Sequence, residues 1–294
     1  MTRGADAMSR DPQTPEEGSA DEMSDQLVME RPRVALQPLL KWAGGKRWQV
    51  PYIAALWAGH EHRRLVEPFC GGMSIALGLR PDRALLNDVN PHLMNFYRQV
   101  QRSARPFPSF LNFENDADCY YGSRAWFNEL IATDAADSDT AAGLFYYLNK
   151  TGFNGLCRFN ASGGFNVPFG KFKSINYVRE FPDHHEQFKA WMLMNVDVAR
   201  VPFEPGDFVY ADPPYDVEFT AYSQGGFTWA DQERTTALLA EHRGPVVLVN
   251  QATPRVEALY RDHGFTVRFL DAPRRISCTG DRTPAREILA TRNL

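Results

Sequence analysis

The turn formed by Asp212, Pro213, Pro214 and Tyr215 could hold an exocyclic amine for chemistry at its nitrogen. It directly follows residues 207–211, which are predicted to form a strand, and ligand sites in open α/β sheets lie at the carboxyl ends of strands. The prolines stiffen the turn and contribute no N–H that would compete for its carbonyls. The Asp212 carboxylate and the Pro213 carbonyl could accept the two N–H bonds of the amine, and the Tyr215 ring offers a surface for stacking a base. An ordinary capped Pro-Pro turn is a reasonable alternative for Asp-Pro-Pro alone, but Tyr215 and the preceding strand disfavour it.

A second set of residues, from Glu67 to Asp88, could hold an adenosyl ligand. Glu67 ends a short apolar segment, and Gly71 and Gly72 follow it, so that a ligand could approach the backbone closely. Asp88 ends the next predicted strand, where a carboxylate can accept hydrogen bonds from ribose hydroxyls. We count Glu67, Phe69 and Asp88 as candidate cofactor contacts. The spacing differs from the dinucleotide pattern G-x-G-x-x-G and so favours an adenosyl ligand over NAD, although such a turn alone is also a common structural device.

The segment from Lys41 to Lys46 places two cations and Trp42 around a Gly-Gly turn. Such a turn could hold a carboxylate or a phosphate. Lys46 could reach the carboxylate of a methionine moiety, and Trp42 could pack against a sulfonium, which is itself a cation. The alternative is a surface turn with a half-buried tryptophan, and the motif gains weight only because it occurs with the others.

A loop rich in Gly and Asn, residues 149–171, could contact nucleic acid. Glycines on both flanks predict a hairpin-like loop that presents Phe153, Asn154, Leu156 and Arg158. Arginine is the side chain best suited to bidentate contact with guanine, and aromatic or apolar tips can wedge between base pairs. A structural hairpin with its aromatic residues in the core is the alternative, and composition does not separate the two.

The elements that must position these motifs alternate between strand and helix. Apolar runs predict strands at residues 64–67, 84–88, 207–211, 245–250, 266–270 and 287–291. Amphipathic runs predict helices at residues 74–79, 93–100, 124–132, 140–149, 231–241 and 255–263, and another that ends at Trp57. The pattern indicates a Rossmann-like α/β sheet formed by residues 32–90 and 205–294. Residues 91–204 are predicted to form an inserted, mainly helical domain that carries the hairpin loop.

The charge of the chain is unevenly distributed. The 294 residues carry a net charge of −4, but residues 1–30 contain eight acidic and two basic side chains, which leaves the remainder at +2. We expect residues 1–31 to form a disordered acidic tail, because they are polar and poor in aromatic residues. A near-neutral body permits DNA binding without establishing it, since local fields depend on where charges are placed.

The composition disfavours membrane-spanning, exported and disulfide-rich classes of protein. With 44% hydrophobic residues the chain can bury one sizeable core and a smaller lobe. It has no apolar run of about 18 residues that could span a bilayer and no export signal pattern, so we expect a cytoplasmic protein without membrane association. The four cysteines form no close-spaced pairs, which disfavours a zinc ribbon or a disulfide framework, and we expect no metal site.

Taken together, the motifs resemble those of the Dam-type DNA adenine-N6 methyltransferases, which are class I enzymes that use S-adenosylmethionine. Lys-Trp-Ala-Gly-Gly-Lys, Glu-Pro-Phe-x-Gly-Gly, Asn-Lys-Thr-Gly-Phe-Asn-Gly-Leu-Cys-Arg-Phe-Asn and Asp-Pro-Pro-Tyr occur in the family's order across residues 38–294, and residues 219–222 and 274–277 match as well. The resemblance implies the class I methyltransferase sheet with an inserted target-recognition domain. It also implies double-stranded DNA as partner, GATC as target site, a flipped adenine and no obligate protein partner.

The resemblance also assigns roles to individual residues. It implies that Trp42, Lys46, Asp88 and Asp212 contact S-adenosylmethionine, and that Asp212 and Tyr215 hold the flipped adenine.

On the DNA side, the resemblance implies that Lys41 reads the outer guanine and Arg158 the next guanine-containing pair. Leu156 and Pro168 would lie against the middle bases. Phe153 and Asn154 occupy the positions that intercalate and fill the gap left by the flipped base. The family usually has tyrosine where Phe153 stands, and loss of the hydroxyl should preserve stacking.

Two other functions are compatible with parts of the sequence. RNA and protein-amide methyltransferases use a related acid-or-amide, Pro-Pro-aromatic loop on the same sheet, but the segment Gly-Phe-Asn-Gly-Leu-Cys-Arg is expected only in the DNA enzyme. A DNA-binding protein that has lost its cofactor is disfavoured because Trp42, Lys46, Asp88 and Asp212 are all present. The catalytic loop has no Pro-Cys nucleophile, which argues against methylation at cytosine C5. Whether the enzyme acts alone or with a restriction nuclease is left open.

Overall fold

The computed structural model describes residues 34–215, 226–272 and 285–294. The predicted acidic tail (residues 1–31) and the family-like segments 219–222 and 274–277 lie outside the described residues. Within them, no helix is both long enough and apolar enough to cross a bilayer.

One mixed sheet organises the described part of the chain. Its seven strands lie in the order β3-β2-β1-β4-β5-β7-β6. In chain order they are β1 Leu65–Glu67, β2 Ala84–Asn87, β3 Trp191–Met194, β4 Phe208–Ala211, β5 Val246–Gln251, β6 Thr266–Ala272 and β7 Ala285–Arg292. Only β7 runs against the others, because it pairs antiparallel with both β5 and β6. The class I methyltransferase sheet expected from the resemblance is confirmed.

The order of the strands creates a crevice between β1 and β4. The chain runs outward from β1 through β2 to β3 and then returns to β4 and β5 on the other side of β1. Ligands of open α/β sheets bind outside the carboxyl ends of the strands at such a reversal. β1, β2 and β4 are buried at every residue, as expected for parallel strands covered by helices on both faces. The residues that follow these strands are therefore held on a rigid platform.

Eight helices accompany the sheet in the described residues. They are α1 Val50–Trp57, α2 Ser74–Leu79, α3 Pro91–Arg102, α4 Ala117–Ala132, α5 Asp139–Thr151, α6 Pro182–Phe188, α7 Trp229–Ala240 and α8 Pro254–Asp262. All the predicted helices and strands are present, with ends that differ by at most two residues, except that α4 begins seven residues before its predicted start at residue 124. Two elements were not predicted, α6 and β3, and β3 contributes a sheet strand from within residues 91–204.

Several helices begin at side chains that cap them. The side-chain oxygens of Asn90, Asp116, Ser138 and Thr253 accept backbone N–H groups in the first turns of α3, α4, α5 and α8. Thr228 and the acid three residues later form a reciprocal capping box on α7. Each such cap typically stabilises a helix by about 1 kcal/mol. The caps explain why the helices start where the polar residues stand.

The loop after α5 folds back on itself as predicted, but without regular strands. Its ends meet at a bridge between Gly152 and Phe169, and a second antiparallel bridge joins Phe159 to Phe165. The Phe153 N–H donates to the Pro168 carbonyl at 2.9 Å. We call residues 152–170 the recognition loop. Its hairpin shape is thus confirmed, with isolated bridges in place of a continuous ladder.

Candidate active site

Three acidic side chains meet at the carboxyl edge of the sheet. Glu67 is the last residue of β1, Asp88 follows β2, and Asp212 follows β4. β1 lies between β2 and β4, so these acids come from three adjacent strands. The arrangement places the two predicted motifs, Glu67 to Asp88 and Asp212 to Tyr215, on either side of the crevice.

Lys46 lies between two carboxylates. Its ammonium nitrogen is 3.5 Å from Asp212 Oδ2 and 3.5 Å from Glu287 Oε1, and it donates a hydrogen bond of 2.9 Å to the Gly44 carbonyl. Lys46 is only 4% exposed. Lys46 and Asp212, which the resemblance implies as contacts of the same ligand, thus lie together, and Glu287 is a further partner that no motif indicated.

A buried polar chain holds Glu287 in place. Gln49 Nε2 donates to Glu287 Oε2 at 2.8 Å, and the Tyr210 hydroxyl donates to Gln49 Oε1 at 2.9 Å. Gln49, Tyr210 and Glu287 are all buried. Buried polar groups cost free energy unless they are hydrogen-bonded, so this chain fixes the Glu287 carboxylate beside Lys46.

The environment of Asp212 weakens its acidity. Burial raises the pKa of Asp212 to about 6, the Lys46 ammonium opposes this increase, and the Glu287 carboxylate adds to it. At neutral pH the carboxyl group is still mostly ionised. It can therefore act as a hydrogen-bond acceptor for an amine at physiological pH.

Glu67 differs from Asp212 in its charge. Burial raises the pKa of Glu67 to about 8, the Ala76 N–H lowers it, and Asp212 contributes a further increase. The Ala76 N–H donates to Glu67 Oε1 at 2.6 Å, which ties the end of β1 to the first turn of α2. Glu67 is thus mostly protonated at pH 7, and its carboxyl group can donate a hydrogen bond at the crevice.

The glycine turn after β1 packs against Trp42. A Cβ atom at Gly71 would lie 2.6 Å from Trp42 Nε1, and Gly71 has a φ of +44°, so glycine is required here on both counts. The Gly71 N–H donates to Asp88 Oδ2 at 3.1 Å, and the Asn90 N–H donates to Asp88 Oδ1 at 2.9 Å. Phe69 lies edge-on to Phe227, with ring centroids 5.8 Å apart. Trp42, Phe69 and Asp88 therefore all flank the same turn.

The candidate catalytic turn, residues 212–215, has hydrogen-bond acceptors that differ in their availability. Gln232 Nε2 donates to the Pro214 carbonyl at 2.7 Å, whereas no hydrogen bond from a described residue ends on the Pro213 carbonyl. The buried Tyr215 hydroxyl faces the Asp212 and Glu287 carboxylates, but it makes no hydrogen bond of normal geometry to a described residue. Lys46 Nζ lies 4.5 Å from the centroid of the Tyr215 ring. The turn thus combines a carbonyl to which no described residue donates, a carboxylate and a buried phenol beside that carboxylate.

Lys41 connects the crevice to the recognition loop. Its backbone N–H donates to Asn149 Oδ1 at 2.9 Å, and Asn149 Nδ2 donates back to the Lys41 carbonyl at 2.8 Å. Its ammonium donates to the Lys150 carbonyl at 2.8 Å and lies 3.6 Å from the centroid of the Phe172 ring. The short segment from Lys41 to Lys46 therefore contacts residues that flank the recognition loop at one end and the candidate catalytic turn at the other.

The side chains predicted to contact DNA lie mostly at the surface of the recognition loop. Phe153 is 48% exposed, Asn154, Arg158 and Pro168 are exposed, and Leu156 is half-buried. The other aromatic residues of the loop pack inward, because Phe165 is buried and Phe159 and Phe169 pack against the core.

The guanidinium of Arg158 is oriented by its neighbour in the loop. Its Nε donates to Asn166 Oδ1 at 2.7 Å, and its Nη2 donates to the Asn166 carbonyl at 3.3 Å. Nη1 makes no hydrogen bond with a described residue. Asn154 adopts a left-handed backbone conformation, with a φ of +52°. The loop is therefore a shaped surface with a pre-oriented arginine.

Comparison with known proteins agrees with this geometry. Residues 42–272 match the model of the D12 class N6 adenine-specific DNA methyltransferase family. The retron Ec67 DNA adenine methylase of Escherichia coli is 34% identical over 269 residues, covering 87% of this chain and 91% of that protein. The DNA adenine methylase of Vibrio cholerae serotype O1 is 35% identical over 269 residues, covering 85% and 94%. The type II methyltransferase M1.LlaDCHI of Lactococcus lactis is 31% identical, covering 84% and 92%. The chain therefore belongs to the D12 class of N6 adenine-specific DNA methyltransferases.

Proposed function

We propose that this enzyme methylates N6 of adenine in GATC sites of double-stranded DNA, by flipping the base out of the helix and by direct in-line transfer. S-adenosylmethionine is the proposed methyl donor. The observation that carries this proposal is the buried contact of Lys46 with Asp212 at the point where the strand order reverses. This contact brings together, in one crevice, a turn that can accept hydrogen bonds from an amine and a lysine that can bind a carboxylate.

The residues present fit S-adenosylmethionine. The buried Tyr215 hydroxyl makes no hydrogen bond of normal geometry to a described residue, so it is a polar atom that a ligand could satisfy. We propose that Lys46 binds the carboxylate of the methionine moiety and that Asp88 accepts hydrogen bonds from the ribose hydroxyls. Trp42 is proposed to pack near the sulfonium. When bound, S-adenosylmethionine supplies an electrophilic methyl group. Glu67 and Phe69 complete this side of the site, with Glu67 protonated at neutral pH and able to donate a hydrogen bond.

The catalytic turn then orients the amine. The Asp212 carboxylate accepts one N–H bond of the adenine amino group and the Pro213 carbonyl accepts the other. Both acceptors lie on a turn that β4 and two prolines hold rigid, so little reorganisation is needed during the reaction. Hydrogen bonding in this way increases electron density at N6 and directs its lone pair into the crevice. Catalysis thus arises from positioning and electrostatics, without a covalent enzyme intermediate.

Tyr215 and the recognition loop would accommodate the flipped base. Lys46 lies over one face of the Tyr215 ring, so we propose that the adenine stacks on the opposite face. Phe153 and Asn154 project at the surface of the loop, where they could fill the space that the base leaves.

Sequence selection is proposed to come from the same surface. Arg158 and Lys41 would each contact a guanine, and Leu156 and Pro168 would contact the central base pairs. On this proposal residues 91–204 form the target-recognition domain, apart from β3, and residues 32–90 and 205–294 form the catalytic domain. Both parts meet at Lys41, whose backbone N–H and carbonyl form two hydrogen bonds with the Asn149 side-chain amide.

The direct test is methylation-aware sequencing of DNA from a host that lacks adenine methylation. The chain and its Asp212→Ala variant are expressed to equal levels in parallel cultures. We expect N6-methyladenine at GATC sites in the first culture and none in the second. Methylation of adenine in unrelated contexts would contradict the GATC proposal, and methylation of cytosine would contradict the proposed chemistry.

A further inference from the structure

Lys46 has two anionic partners where the proposed mechanism uses one. Its ammonium is 3.5 Å from a carboxylate oxygen of Asp212 and 3.5 Å from one of Glu287. Charge-assisted hydrogen bonds of this kind are normally about 2.7–2.9 Å long. The ammonium is therefore shared between two carboxylates and is tightly paired with neither.

Glu287 comes from a part of the fold that no motif marks. It lies in β7, the antiparallel strand beside β5, and is 7% exposed. Its other oxygen accepts the hydrogen bond from Gln49, which in turn accepts one from Tyr210. A carboxylate buried on a sheet strand and held by two further buried side chains has little freedom to move away from Lys46.

We propose that Glu287 is a positioning residue, which draws the Lys46 ammonium away from Asp212 and so leaves the Asp212 carboxylate free to accept the adenine amine. This inference rests on the proposed role of Asp212. Without the charge of Glu287, Asp212 would be the only carboxylate paired with Lys46 in the described part of the chain. The ammonium would then close on Asp212 and occupy the oxygen that the amine needs.

Glu287 also affects the charge available to a ligand. Because the ammonium lies 3.5 Å from both carboxylates, it can approach the carboxylate of a ligand without first breaking a short ion pair. A tight pair with Asp212 would have to be broken first, so binding of the methyl donor should weaken as well.

The proposal predicts a change in the pH profile as well as in the rate. The charged and titratable groups that face Asp212 are Lys46, Glu287, Glu67, Tyr210, Tyr215 and Tyr260. Glu287 is the one carboxylate among them that is both hydrogen-bonded to Gln49 and in contact with Lys46. Its negative charge raises the pKa of Asp212, so removing that charge should move the acidic limb of the activity profile to lower pH. A merely structural defect would lower the rate without moving the limb in that direction.

The experiment compares Glu287→Gln with the unaltered enzyme. Glutamine keeps the size of the side chain and an oxygen that can accept from Gln49. We expect kcat to fall about ten- to hundredfold, the acidic limb to move to lower pH by about half a unit or more, and calorimetric affinity for S-adenosylmethionine to fall severalfold. An unchanged kcat would overturn the proposal. A lower kcat with no shift of the acidic limb of the pH profile would overturn it as well. Glu257→Gln is the matched control, because it removes the same charge from an exposed pair with Arg261 on α8.

A second variant keeps the proposal testable if Glu287→Gln does not fold. Glu287→Asp retains the charge but shortens the reach to Lys46. We expect the acidic limb to stay in place while kcat falls, and an unchanged kcat would again contradict the proposal. Failure of the unaltered chain to methylate adenine would count against the proposed function instead. The calorimetric comparison does not depend on the DNA substrate, so the two failures can be told apart.

Discussion

Replacing Glu67 by glutamine should stabilise the protein increasingly as the pH rises. The Glu67 carboxyl is 2% exposed, and its pKa is raised to about 8 chiefly by burial. Between its ordinary value of 4.5 and about 8, the folded protein retains a proton that the unfolded chain releases. The unfolded state then binds fewer protons, so the stability of the unaltered protein falls as the pH rises through this range. Glutamine carries no ionisable proton and can still accept the Ala76 N–H through its amide oxygen.

The size of the expected change in stability follows from the difference between the folded and unfolded pKa values of Glu67. Each unit of pKa is worth about 1.4 kcal/mol, so a gap of about 3.5 units sets a ceiling of about 5 kcal/mol. Water penetration and relaxation reduce such penalties in real interiors, and we expect about 2–3 kcal/mol near pH 8.5. Near pH 5 the difference between the two proteins should be small. The advantage of the variant should therefore grow across this interval.

Urea unfolding without ligand, at several values between about pH 5 and pH 8.5, measures this difference. Glu257→Gln serves as the control, since it makes the same substitution at a carboxylate that is paired with Arg261 at the surface of α8. A Glu67→Gln variant whose stability difference is flat across the range would refute the reasoning. So would a variant that is less stable than the unaltered protein at the alkaline end.

The other predictions concern activity. Arg158→Ala should reduce discrimination between GATC and duplexes with one substituted base by about ten- to hundredfold, as steady-state kcat/KM values would show; unchanged discrimination would exclude a guanine contact. Phe153→Ala should lower methylation about tenfold with a change in unfolding free energy below about 0.5 kcal/mol, because Phe153 is 48% exposed, and a large loss of stability would indicate a core role. Since the pKa of Asp212 is raised to about 6 and the carboxylate is the active form, single-turnover rates should fall about tenfold per unit below about pH 6; a rate that stays constant there in folded enzyme would contradict this.

Most of the framework could be predicted from the sequence because its strands are fully buried apolar runs bounded by polar turns. β1, β2 and β4 show this pattern, and their ends lie within a residue or two of the predicted positions. β3 could not be predicted in this way. It is four residues long and lies at the edge of the sheet with Met192 52% exposed, and a short apolar run has no period that separates strand from helix.

The predicted motifs could be located for a similar reason, since each lies directly after a strand or within a glycine-rich turn. Glu287 was not predicted as a site residue, because its role depends on contacts with residues that are distant in the sequence. Its hydrogen-bond partner Gln49 lies 238 positions earlier in the chain. The available signal was weak: Glu287 directly precedes the apolar residues 288–290, and a carboxylate that such a strand buries needs a partner. Gln232, which holds the Pro214 carbonyl from α7, gave no comparable signal.

The function of Gly71 also differed from its sequence-based interpretation. We predicted that the glycine admits a ligand to the backbone, whereas in the structure it admits the Trp42 indole. The physical requirement, close approach to a backbone without a Cβ atom, is the same in both cases. Sequence can indicate that such a space is needed, but only the fold shows which group fills it.

The central claim is that Asp212 holds the amine that receives the methyl group. Single-turnover methyl transfer to a GATC duplex, measured alongside DNA affinity for the unaltered enzyme and Asp212→Ala, tests it most directly. We predict that the variant binds the duplex with an affinity within a few-fold of the unaltered enzyme and transfers methyl groups at least about a thousandfold more slowly. Transfer by Asp212→Ala at a rate close to that of the unaltered enzyme would contradict the account.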